Sequence, residues 1–455
     1  MDRTTRRRFI VAGGGAATVA IAGCTGDEAA QDDVGTPPPD ADDEADDAVD
    51  DETATPEPYE ATHEIWAADQ GTDTIYIYEP ADEAGEEFDL LGEIDTAQDG
   101  GEVPHMIHFS SDYEYAAVAC TAGARTLVYR TEDRELVGNV ETGAGSHFAG
   151  FTPDDDAVVV DVIGESEIVR VDADLEAETF EVDDRIEVGP EIDGLTEEEG
   201  APICHSYDHQ GRSIHTLGPA HGDAGVVIVD HDDFAVVRAW PGDELPTNCG
   251  TVPHPTEDKF YLTAGRPSDP EEDVEGLGEF YVLDTADDEI LVDGMSTGGV
   301  DAHGFWFTPD GEELWVLNRE TNDGVVLDPE TDEVVEEIDA FGPADDDDPE
   351  ESDAPDIMWA TPDGEYVVVT LRGPAPLSGD PHAATGVTPG FSVLDVETKE
   401  IVGVVEPDPI DDYDEEDIEA AREEDDDAPA IPDFHGIGVR PIDDFDTAID
   451  TSPPY

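Results

Sequence analysis

The chain has 455 residues, enough for one large all-β domain or two domains of ordinary size. It carries 120 acidic residues against 18 basic ones, and its formal net charge is −102. A surface this negative repels a polyanion, so we expect no nucleic-acid partner.

The acidic residues are spread along the chain and leave β-type segments between them. Distributed acidity with almost no lysine resembles the proteins of salt-loving archaea, in which molar salt screens the repulsion between like charges. Most of the acid is therefore interpreted as adaptation to salt and not as a calcium or partner site. The acidic runs at 345–351 and 411–427 are accordingly predicted to be solvated loop insertions.

The N-terminus carries a targeting pattern. Paired arginines, Arg6 and Arg7, precede a short apolar run of small residues that is too short and too rich in glycine for a membrane span. The pattern resembles a twin-arginine export signal, whose substrates cross the membrane in the folded state. This resemblance implies that the protein works outside the cytoplasm.

A lipid anchor is indicated by the sequence IAGC at 21–24, which resembles a lipobox. The resemblance implies that Cys24 becomes the lipidated first residue, and 1–24 are assigned to a twin-arginine lipoprotein signal. Residues 25–58 are acidic, contain proline and have few large apolar side chains, which predicts a disordered tether. We therefore expect the protein on the outer face of the cell membrane.

A unit of about forty residues becomes visible after Asp301. Its segments "HGFWF", "LWVLN", "GVVLD" and "VVEEI" predict four short strands, and "TPDGEE" and "PETDE" predict the turns between them. Four such strands form one antiparallel sheet, which cannot bury its faces alone. A repeat of this length indicates a β-propeller.

The unit recurs, with five further copies that begin at Pro104, Ser146, Ile203, Cys249 and Asp356. A seventh sheet is divided between the ends, because 63–80 lacks an inner strand and 434–441 is an inner strand with no successor. The predicted fold is an all-β seven-bladed propeller over 59–445, with four-stranded antiparallel blades and a C-terminal tail at 446–455. The last strand closes the first blade and removes free sheet edges.

The recurring "TPDG" and "VLDxxT" segments resemble the YVTN-type repeats of a seven-bladed propeller family. The resemblance covers about 60–442 and implies the fold more strongly than any function.

Metal-binding residue types recur at one register of the repeat. Counting six residues back from the turn proline, or from the residue at its position, gives seven ring positions: His105, His147, Ile203, Cys249, His303, Asp356 and His435. Ile203 is followed by Cys204 and His205, so a one-residue bulge would restore the pattern. Because inner strands line the channel of a propeller, we expect these side chains to converge near one mouth.

Two interpretations of the ring positions remain open. In repeats of the resembling family, a histidine before glycine is a frequent consensus residue that packs between blades. Cysteine and aspartate at the other positions favour a coordination sphere instead, and four of the 13 histidines share this register.

The predicted ligands come from consecutive blades. Asp356, His435, His105 and His147 would form a tetrahedral zinc sphere across the closure of the ring. A second, softer arc of Cys204 or His205 with Cys249 and His303 would also suit copper.

Other histidines and cysteines receive weaker predictions. His108 is a secondary ligand candidate, on the other strand face or deeper in the channel. The six histidines outside the inner-strand register are expected at the surface: His209, His215, His221, His231, His254 and His382. Cys120, Cys204 and Cys249 are odd in number, so at least one is free, metal-bound or paired elsewhere.

An exported lipoprotein propeller with a histidine-lined mouth resembles the periplasmic zinc chaperones of propeller fold. That resemblance implies zinc binding and delivery to the binding protein of a metal importer. The alternatives are a metal-free surface scaffold for protein–protein contacts and a metal-dependent hydrolase or lactonase. The sequence leads us to expect that the chain is not an enzyme.

Overall fold

Hydrogen bonding between strands divides the chain into blades. The computed structural model describes 62–442, apart from 80–87, 193, 197–198, 219, 270–272, 347, 411–412 and 424–427. Within these residues the strands form seven four-stranded antiparallel sheets, which confirms the predicted seven-bladed propeller. The assignments to 1–24, to Arg6, Arg7 and Cys24, to the tether and to the tail lie outside the described residues.

Six blades are contiguous in sequence and add their strands in chain order. The second and third blades contain β4 (Pro104–Phe109), β5 (Tyr115–Cys120), β6 (Arg125–Arg130) and β7 (Glu135–Glu141), then β8 (Ser146–Phe151), β9 (Ala157–Val162), β10 (Glu167–Asp174) and β11 (Thr179–Glu187). The fourth and fifth contain β12 (Ala201–Tyr207), β13 (Ser213–Gly218), β14 (Gly225–Asp230) and β15 (Ala235–Pro241), then β16 (Thr251–Pro253), β17 (Lys259–Arg266), β18 (Leu277–Asp284) and β19 (Glu289–Ser296). The sixth and seventh contain β20 (Ala302–Phe307), β21 (Leu314–Asn318), β22 (Asp323–Asp328) and β23 (Glu333–Ile338), then β24 (Pro355–Ala360), β25 (Tyr366–Leu371), β26 (Gly390–Asp395) and β27 (Ile401–Val405).

The first blade joins the two ends of the domain. It consists of β1 (His63–Asp69), β2 (Thr74–Glu79), β3 (Asp89–Asp95) and β28 (Phe434–Pro441), in the order β28-β1-β2-β3. The inner strand β28 pairs antiparallel with β1, with Ile65 opposite Val439 and Trp66 opposite Gly438. The C-terminal strand therefore closes the ring as predicted, and the closure leaves no free edge between the ends.

The TPDG turns are fixed by a side-chain hydroxyl. Thr308 donates a hydrogen bond to the Asp310 carboxylate at 2.6 Å and accepts one from the Glu313 amide at 3.2 Å. Gly311 takes a φ of +71°, a conformation that side chains with a Cβ rarely adopt. This chemistry explains why the same four letters separate the first two strands of more than one blade.

Six inner strands carry a register shift at their ring positions. The shifts fall between Pro104 and Met106, Ser146 and Phe148, Pro202 and His205, Ala302 and Phe305, Pro355 and Met358, and Phe434 and Ile437. A bulge places an additional residue in one strand and redirects its side chain. The bulges thus interrupt the strict alternation of the inner strands where the candidate ligands stand.

Apolar side chains fill the spaces between blades, and the outermost strands carry much of the acid. Between the second and third blades, for example, Ala117 and Val128 pack with Phe151 and Val160. The outer strand β11 is largely exposed, with the sequence TFEVDDRIE. Burial thus concentrates on the inner three strands, which fixes the inner strands around the axis.

Short helical segments lie in the loops between strands. In the described part of the chain, 3-10 turns occur at Thr96–Asp99, Ile163–Glu165, Gly189–Glu191 and Pro349–Glu351. An eight-residue helix, α1 (Glu415–Arg422), lies within the acidic run that was predicted to be a loop. Over the described residues, no helix combines the length and the apolar character needed to cross a membrane.

The loop prediction is wrong for α1 because local capping and packing outweigh the charge of the run. Asp414 accepts hydrogen bonds from two backbone amides of the first turn and forms a capping box with Asp417. Ala421 is buried among apolar side chains that include Ala375 and Ile431, and Arg422 donates to the Pro374 carbonyl at 2.7 Å. A helix this short depends on such contacts.

Candidate metal centre

Most of the ring positions border one cavity. Its volume is about 560 Å³, and it is lined by His105, His147, Ile203, Cys249, His303 and His435 among others. We call it the mouth cavity. Asp356 lies next to it, since the Asp356 carboxylate contacts both His303 and His435.

His303, Asp356 and His435 form the tightest group of ligand types. Nε2 of His303 lies 2.7 Å from Oδ1 of Asp356, and Nε2 of His435 lies 3.5 Å from Oδ2. The three side chains are buried, and one ligand atom from each lies within 4.8 Å of the others. These separations allow the three groups to contact a common ion.

His105 and His147 extend this group. The Nε2 atoms of His105 and His147 are 2.7 Å apart, and the His105 ring stacks on His435 with centroids 3.7 Å apart. The four residues predicted as the zinc sphere, Asp356, His435, His105 and His147, are thus brought together, with His303 beside them.

Backbone carbonyls orient two of the imidazoles. Nδ1 of His147 donates to the Ile203 carbonyl at 2.8 Å, and Nδ1 of His435 donates to the His105 carbonyl at 3.1 Å. Each bond fixes the neutral tautomer in which Nε2 holds the lone pair. Nδ1 of His105 is buried and has no hydrogen-bond partner among the described residues.

Burial keeps three of the ring histidines neutral, His303, His105 and His435. Desolvation, with a smaller effect from the Arg319 guanidinium, lowers the pKa of His303 to about 3. Burial also holds the pKa values of His105 and His435 well below the usual range. Neutral imidazole is the form that binds a metal, so these side chains present lone pairs even in mildly acidic solution.

Two buried arginines hold Asp356 in place, and the sequence analysis did not identify them. Nη1 of Arg372 lies 2.6 Å from Oδ2 of Asp356, and Nη1 of Arg319 lies 3.5 Å from Oδ1. Arg319 also pairs with Asp301, and Arg372 with Asp433, each at 2.8 Å. Burial raises the pKa of the Asp356 carboxyl, but His303 and the two arginines outweigh it and lower the pKa.

A signal for these arginines was present in the repeat. Arg319 and Arg372 each follow the last residue of the second strand of a blade, in "LWVLNR" and "VVVTLR". In a chain with only 18 basic residues, two arginines at one register indicate a shared position near the axis.

Of the sulfur ligands of the second predicted arc, Cys249 lies at a ring position and Cys204 lies next to the ring position Ile203. The thiol of Cys249 contacts Nδ1 of His303. A hydrogen bond from Cys249 is the largest cause that lowers the pKa of Cys204 to about 6. All three cysteines among the described residues are free, so none of them forms a disulfide here.

His205, the other candidate of that arc, lies away from the ring. Its Nδ1 contacts Oδ2 of Asp161 at 2.6 Å, and Nδ1 of His215 contacts Oδ1 of Asp161 at 2.6 Å. Ser213 Oγ lies 2.6 Å from Nε2 of His215 and 2.9 Å from Nε2 of His231. The register shift in β12 directs Cys204 toward Cys249 and His147, and His205 toward the neighbouring blade.

The expectation that His215, His231 and His254 are surface residues is wrong. His215 and His254 are buried, and most of His231 is covered. The signal that was missed is Asp161, a carboxylate in the apolar strand "AVVVDV", which needs hydrogen-bond partners in the interior. Asp161, His205 and His215 form a second group with metal-ligand spacing. Both oxygens of the Asp161 carboxylate, however, already accept hydrogen bonds from the Nδ1–H groups of the two histidines.

His108 lies deeper in the channel. It lines a smaller cavity of about 70 Å³ that also includes Met106, Phe148, Trp306 and Trp359, which we call the inner chamber. Its Nδ1 accepts a hydrogen bond from the Phe151 amide at 3.3 Å. Cys249 borders both the inner chamber and the mouth cavity. His108 therefore does not join the ring positions at the mouth.

Replacing His108 by glutamine is expected to make folding less sensitive to acid. Burial, with a smaller effect from His205, lowers the pKa of His108 to about 3, below the value of ~6.5 in an unfolded chain. The stability that depends on neutral His108 is complete above about pH 6.5 and is lost as the pH falls toward 3. Glutamine does not titrate, and its Oε1 can still accept from the Phe151 amide.

The measurement is the free energy of urea unfolding of both proteins at several pH values. The difference between them should change by about 1.4 kcal/mol per pH unit below pH ~6 and stay constant above pH ~7. A constant difference between pH 4 and pH 6 (approximate limits of that window) would contradict the prediction.

Comparison with known proteins gives structural matches only. No family model and no curated protein sequence matches the chain. The solved structure "Kuenenia stuttgartiensis Hydrazine Synthase" is 12% identical with a TM-score of 0.48, over 74% of this chain and 86% of that one. "Dihydro-heme d1 dehydrogenase NirN in complex with DHE" is 13% identical with a TM-score of 0.47, over 76% of this chain and 74% of that one.

The expectation that the chain is not an enzyme is corrected by these matches, because both solved structures carry the names of enzymes. At this level of identity the likeness extends to the fold alone. It assigns no reaction to this chain.

Proposed function

We propose that the protein binds a transition-metal ion, zinc in the first place, at the ring positions of its central channel. The observation that carries this proposal is the tautomer of two ring histidines. Because His147 and His435 donate Nδ1–H to backbone carbonyls, both direct Nε2 lone pairs toward the ring. Such backbone hydrogen bonds are the usual support of metal-binding histidines.

The donor set suits zinc. His303, His435 and Asp356 offer two imidazole nitrogens and a carboxylate oxygen within 4.8 Å of one another. His105, stacked on His435 and in contact with His147, supplies a fourth nitrogen. Zinc takes four such ligands in a tetrahedral arrangement.

The net charge of the buried side chains around the ring favours the binding of a cation. The two buried guanidiniums of Arg319 and Arg372 face the three carboxylates of Asp301, Asp356 and Asp433. With neutral histidines, this cluster carries one net negative charge. An incoming divalent ion therefore meets attraction, and it also supplies a partner for imidazoles that lost water on burial.

Copper is the second candidate, and the thiols of Cys204 and Cys249 are the observation that favours it. Cys249 touches His303, and Cys204 directly follows Ile203, whose carbonyl accepts a hydrogen bond from His147. Soft thiolate ligands prefer Cu(I) over the harder divalent ions.

The experiment is elemental analysis of the purified protein beside a triple variant, His105→Ala, His147→Ala and His435→Ala. We expect one bound ion per chain in the unchanged protein and none in the variant. The control is the double variant His209→Ala and His382→Ala, whose side chains do not line the mouth cavity. Equal metal content in the triple variant and the unchanged protein would overturn the proposal, and a folded protein with no metal would favour the scaffold alternative.

In this proposal the metal site faces the outside of the cell membrane, in accordance with the twin-arginine and lipobox patterns. The binding protein of a metal importer is the partner implied by that location and by the resemblance to propeller zinc chaperones. Both statements stay predictions from the sequence.

A further inference from the structure

Two cysteines from neighbouring blades lie close together at the ring, with Cys249 at a ring position and Cys204 next to Ile203. Cys204 lies in β12, and Cys249 directly precedes β16 of the next blade. The Thr216 hydroxyl holds the two segments together, since its Oγ1 lies 3.3 Å from the Cys204 carbonyl oxygen and 2.8 Å from that of Cys249. The backbones of the two cysteines are therefore fixed relative to each other.

Their side chains border the same cavity and can be reached by a small molecule. Both border the inner chamber, and Cys249 also borders the mouth cavity. Cys120 differs, because it is fully buried, lines neither cavity and donates only to the Val118 carbonyl.

We propose that Cys204 and Cys249 form a redox pair that closes to a disulfide and thereby changes which metal the ring binds. This inference rests on the proposed function. The oxidant is a peroxide small enough to enter the mouth cavity. One thiol attacks the peroxide oxygen and becomes a sulfenic acid as water leaves; the second thiol then attacks that sulfur, and a second water leaves. Two thiols and one hydrogen peroxide thus give one disulfide and two waters.

The consequence for the metal follows from ligand softness. In the reduced protein two sulfur ligands adjoin His147 and His303, and this set favours Cu(I). In the disulfide neither sulfur is a thiolate, and only imidazole and carboxylate ligands remain. That set favours zinc.

The experiment uses the reduced, metal-free full-length chain treated with hydrogen peroxide, then alkylated and mapped by mass spectrometry. We expect a linked peptide between Cys204 and Cys249 and the loss of two alkylatable thiols. The control variant Cys120→Ser should give the same linked peptide, while Cys249→Ser should give none. Full alkylation of Cys204 and Cys249 after peroxide, or their conversion to sulfinic acid without a linked peptide, would overturn the redox pair.

Metal content separates this inference from the function on which it rests. The oxidised protein should lose Cu(I) and keep zinc, whereas the reduced protein should hold either ion. Metal binding without the linked peptide would overturn the redox pair alone. A linked peptide in a protein that binds neither ion would overturn the proposed function and the metal switch, and leave only the disulfide.

Discussion

Replacing Arg372 by methionine is expected to lower the free energy of unfolding by about 3–5 kcal/mol, the usual cost of breaking a buried ion pair. Arg372 is fully buried, with Nη1 2.6 Å from Asp356 and Nε 2.8 Å from Asp433. Methionine fills part of the space but donates no hydrogen bond. Asp433 would then remain in the interior without its cation, and Asp356 would keep only Arg319, at 3.5 Å.

The measurement is urea unfolding of the variant and of a matched control, Arg238→Met. Arg238 is exposed and lies over the Trp240 ring at 4.5 Å, so its loss should cost no more than about 1 kcal/mol. Similar losses for the two variants would show that the buried network around Asp356 does not stabilise the fold. Metal content provides a second readout, because Asp356 without Arg372 would no longer be held toward His303 and His435.

The fold was predictable because its signals are local. Each TPDG turn is built by a threonine hydroxyl and a glycine within a few residues, so the same letters recur wherever the same turn recurs. The closure by β28 followed from counting, since one end lacked an inner strand and the other end had one to spare.

The composition of the ring was predictable from register, but the direction of individual side chains was not. The shift in β12 reverses which face Cys204 and His205 take, and a single extra residue has that effect in any strand. Sequence counting therefore left Cys204 and His205 as alternatives in one arc, and the structure directs Cys204 toward Cys249 and His205 toward Asp161 of the neighbouring blade.

The buried ion pairs were missed because their partners are far apart in sequence. Arg372 meets Asp433 across 61 residues, and His215 meets Asp161 across 54. The composition also hindered their recognition, because in a chain with 120 acidic residues any single aspartate is readily assigned to the solvated surface. An aspartate within an unbroken apolar strand, as at Asp161, is the pattern that distinguishes a buried carboxylate.

Replacing this buried carboxylate, Asp161, by leucine is the second change with a large expected effect, a loss in the free energy of unfolding. Asp161 accepts from Nδ1 of both His205 and His215 at 2.6 Å, and all three side chains are fully buried. Burial would raise the pKa of Asp161, but the two imidazoles outweigh it and hold the pKa below the usual range. Leucine leaves both donors unsatisfied, and each orphaned group costs about 1–3 kcal/mol.

Replacement of Asp161 by asparagine tests whether the hydrogen bonds of this network can reverse their direction. The amide oxygen can accept from His205 while the amide nitrogen donates to Nδ1 of His215, provided that His215 then donates from Nε2 to Ser213. Ser213 in turn would donate to His231, which lies 2.9 Å away. Urea unfolding should therefore show a cost at least about 1 kcal/mol smaller for asparagine than for leucine. Equal costs would mean that the bonds from His215 to His231 cannot reverse, and that the negative charge of Asp161 is itself what the two imidazoles require.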